Sequence, residues 1–151
     1  MNVGNICQRE VVTIGSEESL AAAAQLMRKR HVGFLVVMGS TTPGADSKVI
    51  GVLTDRDIVT AVVAKEADAR TLRVGDVMTG NPLLIDETCT IEGALRHMRD
   101  IGVRRVPIVS GTGKLLGVLS FDDVVESLAN QFSDLAGAIR IGQKLERTVR
   151  P

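Results

Sequence analysis

The stretch VIGVLTDRDIV, from Val49 to Val59, returns as LLGVLSFDDVV, from Leu115 to Val125. A shift of 71 residues also superimposes Val3, Gly4, Ile14, Ala23, Met27, Arg28 and Val32 on Val74, Gly75, Ile85, Ala94, Met98, Arg99 and Val103. Past that point the offset is 66, and it aligns Lys48, Gly51, Val52, Leu53 and Asp57 with Lys114, Gly117, Val118, Leu119 and Asp123. The difference is a five-residue insertion within Gly39 to Ser47, GSTTPGADS, a composition that marks a turn or loop. Self-similarity at a fixed period means that neither unit buries its apolar face alone. At 151 residues the chain has enough material for one ordinary core, so the expectation is two half-units sharing it.

Periodicity sketches the unit. Val11 to Ile14 is a short β-branched run, and Leu20, Ala23, Ala24 and Met27 follow at helical spacing after a cap at Ser19. Val32 to Met38 and Val49 to Leu53 are near-continuous apolar runs suited to buried strands, and Asp55 to Ala64 carries Ile58, Ala61 and Val62 on one helical face. The unit is strand, helix, strand, strand, helix. Its second copy falls at Leu83 to Ile85, Ile91 to Arg99, Val103 to Val109, Leu115 to Leu119 and Phe121 to Ala129. The predicted fold is therefore mixed α/β (α+β): repeat 1 over residues 1–64, a charged linker over 65–73, repeat 2 over 74–130 and a tail over 131–151.

Composition removes several function classes. Eighteen Lys and Arg balance eighteen Asp and Glu, so nothing attracts nucleic acid or an acidic membrane. With no Trp or Tyr and only Phe34, Phe121 and Phe132, the chain has no aromatic platform for stacking bases. The opening MNVGNICQREVV lacks the apolar run of a signal peptide and no later run reaches membrane-spanning length, so a cytoplasmic protein is expected. Cys7 and Cys89 have neither CxxC nor metal-ligand spacing and read as reduced thiols; His31 and His97 read as residues at or on helices.

The duplicated hydroxyl and carboxylate admit two readings. At a strand-to-helix junction Thr54 or Ser120 can cap the helix while Asp57 or Asp123, three residues on, folds back as in a capping box. The same helix entrance exposes unpaired N–H groups and about half a positive charge, which suits a phosphate. A hydroxyl there can donate to phosphate oxygens, and a carboxylate one turn in can accept from ribose hydroxyls. One copy favours the cap; two copies at matching places shift weight toward the ligand.

At these residues the chain resembles tandem CBS domains, named for the regulatory region of cystathionine β-synthase. The resemblance covers about residues 3 to 130 and is carried by GVLTDRDIV, by GVLSFDDVV, by VGDVMT at Val74 to Thr79 and by RRVPIV at Arg104 to Val109. It implies two repeats packed through their sheets about a pseudo-twofold axis, with two clefts for adenosine-containing ligands such as AMP, ADP, ATP, NAD or S-adenosylmethionine. It further implies that Asp57 and Asp123 hold ribose hydroxyls and that Thr54 and Ser120 approach phosphate. Leu35, Val36, Val106 and Pro107, with Val12, Thr13, Leu83 and Leu84, would line the adenine slots. The family associates as homodimers, so a homodimer is expected, with no catalytic cofactor and no metal.

Arg104 and Arg105 open a strand where the first repeat has Gly33 and Phe34, and a guanidinium pair there is either a phosphate clamp or solvated surface. Arg56, inside TDRD, carries the same two readings. The halves are unequal, since Asn5-Ile6-Cys7-Gln8 stands where repeat 2 has Asp76-Val77-Met78-Thr79, and the first cleft has no counterpart of Arg105. Unequal affinities or different ligands are expected. The tail reads as a helix in which Phe132, Leu135, Ile139 and Val149 form an apolar stripe and which Gly137 and Gly142 weaken; it either packs back on the core or meets a second subunit or partner.

The function expected is a stand-alone regulatory, signal-transducing sensor of adenine nucleotide, AMP, ATP or NAD, acting through an unidentified effector protein. One rival is a ligand-free scaffold in which the four polar residues are only caps. The other is a nucleotide-processing enzyme, disfavoured because no nucleophile–base pair, Walker loop or metal cluster accompanies the carboxylates.

Overall fold

The computed structural model describes residues 1–39 and 47–150, so most of the Gly39 to Ser47 insertion lies outside the described residues. Repeat 1 supplies β1 (Thr13–Gly15), α1 (Leu20–Arg30), β2 (Phe34–Met38) and β3 (Val49–Thr54), then α2 (Asp55–Ile58) running into a π-helical turn at Val59–Val63. A short α3 (Val74–Val77) and β4 (Thr79–Gly80) follow. Repeat 2 supplies β5 (Ile85–Asp86), α4 (Ile91–Ile101), β6 (Arg105–Val109), β7 (Leu115–Ser120) and α5 (Phe121–Val149). One sheet has the order β1-β2-β3-β4 and the other β5-β6-β7; in each, the first pairing is parallel and the second antiparallel.

The helices begin and end where the sequence places caps. Ser19 Oγ accepts from the Ala22 amide at 3.0 Å to start α1, and Thr90 Oγ1 accepts from the Gly93 amide at 3.1 Å to start α4. Both helices stop on a left-handed residue, Gly102 in repeat 2 (φ 77°) but His31 in repeat 1 (φ 55°). A residue with a Cβ holds that conformation at a cost of about 1 kcal/mol.

Packing does not follow the repeat boundary. Val3, in a 3-10 turn at Val3–Asn5, is buried among Ile85, Met98, Ile108 and Leu119 of repeat 2, and its amide donates to the Cys89 carbonyl at 2.9 Å. Its counterpart Val74 is buried among Leu20, Leu35 and Leu53 of repeat 1, with its amide on the Glu18 carbonyl at 2.8 Å. The segments exchange edges as well: β4 pairs with β3, while Gln8 pairs with Val118 of β7. Each repeat thus closes its core with a segment from the other's side of the chain. The single shared core expected from length is in fact two cores joined by a third cluster, where Val36, Val49 and Val109 meet Phe34, Leu115 and Val118 between the sheets. Each sheet carries apolar residues on both faces, one against helices and one against the other sheet, and that two-sided burial separates the clusters.

The second difference lies at the C-terminus. The helix that the sequence ends at Ala129 and the helical tail beyond it are one element: α5 runs unbroken for 29 residues through Gly137 and Gly142. It does not fold back on the core: Phe132 is 70% exposed and Leu145 60%. No helix among the described residues is long and apolar enough to cross a membrane.

Candidate functional site

Two helix entrances, built alike, face different surroundings. At the first, Thr54 ends β3 and caps α2. Its Oγ1 accepts from the Asp57 amide at 3.2 Å, and Asp57 Oδ2 accepts from the Thr54 amide at 2.9 Å. At the second, Ser120 ends β7 and caps α5. Its Oγ accepts from the Asp123 amide at 3.3 Å, and Asp123 Oδ2 accepts from the Ser120 amide at 2.7 Å. Both are reciprocal capping boxes, so the cap is formed at each. A cap occupies one carboxylate oxygen; what the other oxygen does distinguishes the two places.

Both carboxylate oxygens of Asp123 already have a donor. Ser120 Oγ also donates to its Oδ2 at 2.8 Å, and Gln8 Nε2 donates to Oδ1 at 2.9 Å. It is the one charged residue buried among those described, at 8% exposure, and its hydrogen bonds offset the cost of removing a carboxylate from water. Asp57 is half-buried, and among the described residues its Oδ1 takes no donor and the Thr54 hydroxyl gives its proton to no acceptor. The residue at Gln8's place in the other repeat is Thr79, whose shorter side chain makes no bond to Asp57.

Ser120 and Asp123 open on a cavity of about 270 Å³ walled by both repeats, with Val11, Val12 and the His31–Phe34 turn on one side and Arg105 and Val118 on the other. Arg105 opens β6 opposite Ser120 in register; it is exposed and has no carboxylate partner among the described residues. A smaller recess of about 130 Å³ beside it holds Arg104, Arg105, Ser120, Phe121 and Asp122. A carboxylate, a hydroxyl, an unpaired guanidinium and an aliphatic wall therefore converge at one opening. The pattern suits a small ligand carrying hydroxyls and an anionic group.

The remaining sequence-selected residues divide. Val12 lines this cavity. Thr13 is exposed on β1, opposite Val36. Leu35, Val36, Val106 and Pro107 are fully buried and present no surface to either opening: in strands covered on both faces, alternation sends them into the cores or the inter-sheet cluster. Leu83 packs on the repeat 2 core and Leu84 is 37% exposed. Arg56 is exposed in the first turn of α2.

Sequence reasoning missed Gln8, Val11, His31 and Phe34. The first lies in the segment that read as a degenerate copy of Asp76 to Thr79, and its meaning depends on pairing with Val118 across the molecule. For His31 a signal existed, since the 71-residue shift sets it against Gly102. Nearby, Cys7 is buried against Gly117, and burial pushes its thiol pKa up. Among the described residues no three His, Cys, Asp or Glu side chains gather as a metal site.

The CBS domain family matches residues 3–64 and 74–130. The chain is 34% identical over 128 residues to hypoxic response protein 1 of Mycobacterium tuberculosis, covering 85% of this chain and 81% of that one. With the Methanopyrus kandleri protein MK0525 the identity is 29% over 83% of this chain, which spans only 62% of that relative. The crystal structure of hypoxic response protein I, with two coordinated zinc ions, superposes with a TM-score of 0.71 at 32% identity, covering 83% of this chain and 98% of that one. PAE2072 of Pyrobaculum aerophilum, a CBS domain protein complexed with AMP, gives 0.72 at 25% identity over 82% and 89%. Two matched segments span most of the sequence, and the exchanged edges and paired helix entrances recur at equivalent places in both: the chain belongs to the CBS domain family and carries two such repeats in tandem.

Proposed function

We propose that this chain is a regulatory module that binds an adenosine-containing ligand, AMP, ADP, ATP or NAD, at its two helix entrances and is not an enzyme. The observation that carries the reading is the convergence of Ser120, Asp123 and unpaired Arg105 on one opening walled by Val11 and Val12. The AMP complex of PAE2072 supports it by kinship. In this reading Asp123 and Asp57 accept from ribose hydroxyls, Ser120 and Thr54 approach phosphate, and Arg105, with Arg104 beside it, neutralises phosphate charge. Arg56 serves the Thr54 entrance in the same way. In this reading the opening of about 270 Å³ takes the nucleoside, and the phosphates lie toward Arg104 and Arg105 in the recess beside it.

No nucleophile paired with a base accompanies the carboxylates among the described residues, and both carboxylates are tied into caps, which favours binding over turnover. The module acts in the cytoplasm as a homodimer and passes ligand occupancy to an effector protein. A ligand shifts such an equilibrium only by its difference in affinity between the two states. At micromolar affinity about 8 kcal/mol of binding free energy is available, of which a fraction suffices.

Titration calorimetry with AMP, ATP, NAD and S-adenosylmethionine, alongside mass spectrometry of copurifying small molecules, tests the reading. Saturation at 100 times the dissociation constant should stabilise the fold by about 2.7 kcal/mol. A melting temperature unmoved by all four ligands would leave the capping boxes as structure alone.

A further inference from the structure

From Val125 to Val149, α5 carries an apolar seam with no partner in its own chain. Val125, Leu128, Phe132, Leu135, Ile139 and Val149 fall on alternating steps of three and four residues, with Gly142 and Glu146 at the two remaining seam positions. That is the seven-residue repeat of a two-stranded coiled coil. Leu135 is 58% exposed, Ile139 55% and Val149 75%. Gly137 and Gly142 each oppose the helix by about 1 kcal/mol relative to alanine, and helices in proteins draw most of their stability from burying an apolar face. Neither of the chain's own cores buries this one.

Charge selects the occupant and its direction. From Phe121 to Ala136 the charged residues are Asp122, Asp123, Glu126 and Asp134, all acidic; from Gly137 to Arg150 they are Arg140, Lys144, Arg147 and Arg150, with Glu146 the one acid. A helix dipole rewards that order only in the first and last turns, whereas Asp134 and Arg140 lie mid-helix. In an antiparallel pair centred near Gly137, Phe132 of one copy faces Gly142 of the other, Leu135 faces Ile139, Val125 faces Val149 and Leu128 packs along the stem of Glu146. The aromatic ring fills the space a glycine leaves, and Asp134 comes level with Arg140. A parallel pair would set Phe132 on Phe132, Gly142 on Gly142, and like charges level along the whole length.

We propose that α5, from Val125 to Val149, pairs antiparallel with the same segment of a second copy of this chain as a two-stranded coiled coil. The pairing stands independently of what the clefts bind.

Sedimentation equilibrium of the full chain, and of a Leu135→Asp, Ile139→Asp double variant, tests the surface. The expected result is association in the first and at least a ten-fold weaker association in the second, which still melts in one cooperative transition because the substituted residues touch neither core, at a lower midpoint because it has lost the stabilisation that association gives. Direction is read by disulfide cross-linking in a Cys7→Ala, Cys89→Ala background. Ala136→Cys should cross-link to itself, Val149→Cys should not, and Val149→Cys mixed with Val125→Cys should. Self-cross-linking of Val149→Cys, equal association of the double variant and the parent, or a monomeric parent that binds anionic phospholipid vesicles through this helix would each overturn the proposal.

Discussion

Gln8 Nε2 donates to Asp123 Oδ1 at 2.9 Å across 115 residues of chain, a bond that Asp57 does not receive at the other helix entrance. It fills the acceptor that Asp57, its counterpart, keeps open. A ribose hydroxyl arriving at Asp123 has to displace or share the Gln8 amide; at Asp57 it meets an oxygen with no prior donor.

Removal of the amide should separate its two effects. Gln8→Ala is expected to cost about 1 kcal/mol of folding stability, less than is usual for a bond to a charged group because Gln8 itself is exposed. Affinity at the Asp123 cleft should rise by up to about five-fold, since 1.4 kcal/mol of lost competition would be a factor of ten. Denaturant melts and calorimetry on the same preparation read both; unchanged affinity would show that the ligand does not use Oδ1.

Asp57→Ala and Asp123→Ala should not be equivalent. Each loses its half of a capping box, about 1 kcal/mol, but Asp123 also strands the Gln8 amide and the Ser120 hydroxyl, so its loss should be about twice as large. Equal stability losses in thermal melts, together with equal losses of ligand binding, would contradict the asymmetry. Arg105→Ala should weaken AMP or ATP by about ten-fold and leave adenosine nearly unaffected, because a guanidinium acts on the phosphate alone.

His31 occupies a left-handed conformation at the cavity wall where repeat 2 has Gly102. His31→Gly should relieve the Cβ conflict and stabilise the fold by about 1 kcal/mol, yet remove one wall of the cavity and weaken ligand binding. Gain in stability with loss of binding is the signature, read by melting and calorimetry together.

Glycine substitutions report on the exchanged edge. A Cβ at Gly117 would lie 2.6 Å from the Gln8 carbonyl oxygen and 2.7 Å from Cys7 Sγ, so Gly117→Ala must push the N-terminal segment off β7. A loss of about 1–3 kcal/mol is expected. At Gly137 nothing lies within 4 Å, and Gly137→Ala should gain up to about 1 kcal/mol from helix propensity alone. Guanidinium denaturation curves would show the opposite signs.

Cys7 and Cys89 should differ in reactivity. Desolvation raises the Cys7 pKa, with Arg9 opposing it only in part, so at pH 8 a smaller fraction of Cys7 is thiolate than in an ordinary thiol. Its labelling by a thiol reagent should lag behind that of half-buried Cys89, and the lag should shrink as pH rises toward the Cys7 pKa. Peptide mapping of a timed reaction gives the order directly.

Much of this molecule is determined by its sequence alone. The repeat, its strand and helix order, both capping boxes and the family rest on contacts between residues close in sequence: a hydroxyl at Thr54 or Ser120, a carboxylate three positions on, and apolar spacings of two or three to four. The tertiary structure decided the rest, because it depends on distant contacts. Which strand residues face a cleft depended on whether a sheet is covered on one face or two, and Leu35, Val36, Val106 and Pro107 proved covered on both. Gln8 acquired a role only once its segment paired with β7 instead of with its own repeat. α5 continued through two glycines that local propensity opposes, since a helix of 29 residues answers to what its apolar face meets, and no stretch of sequence contains that neighbour.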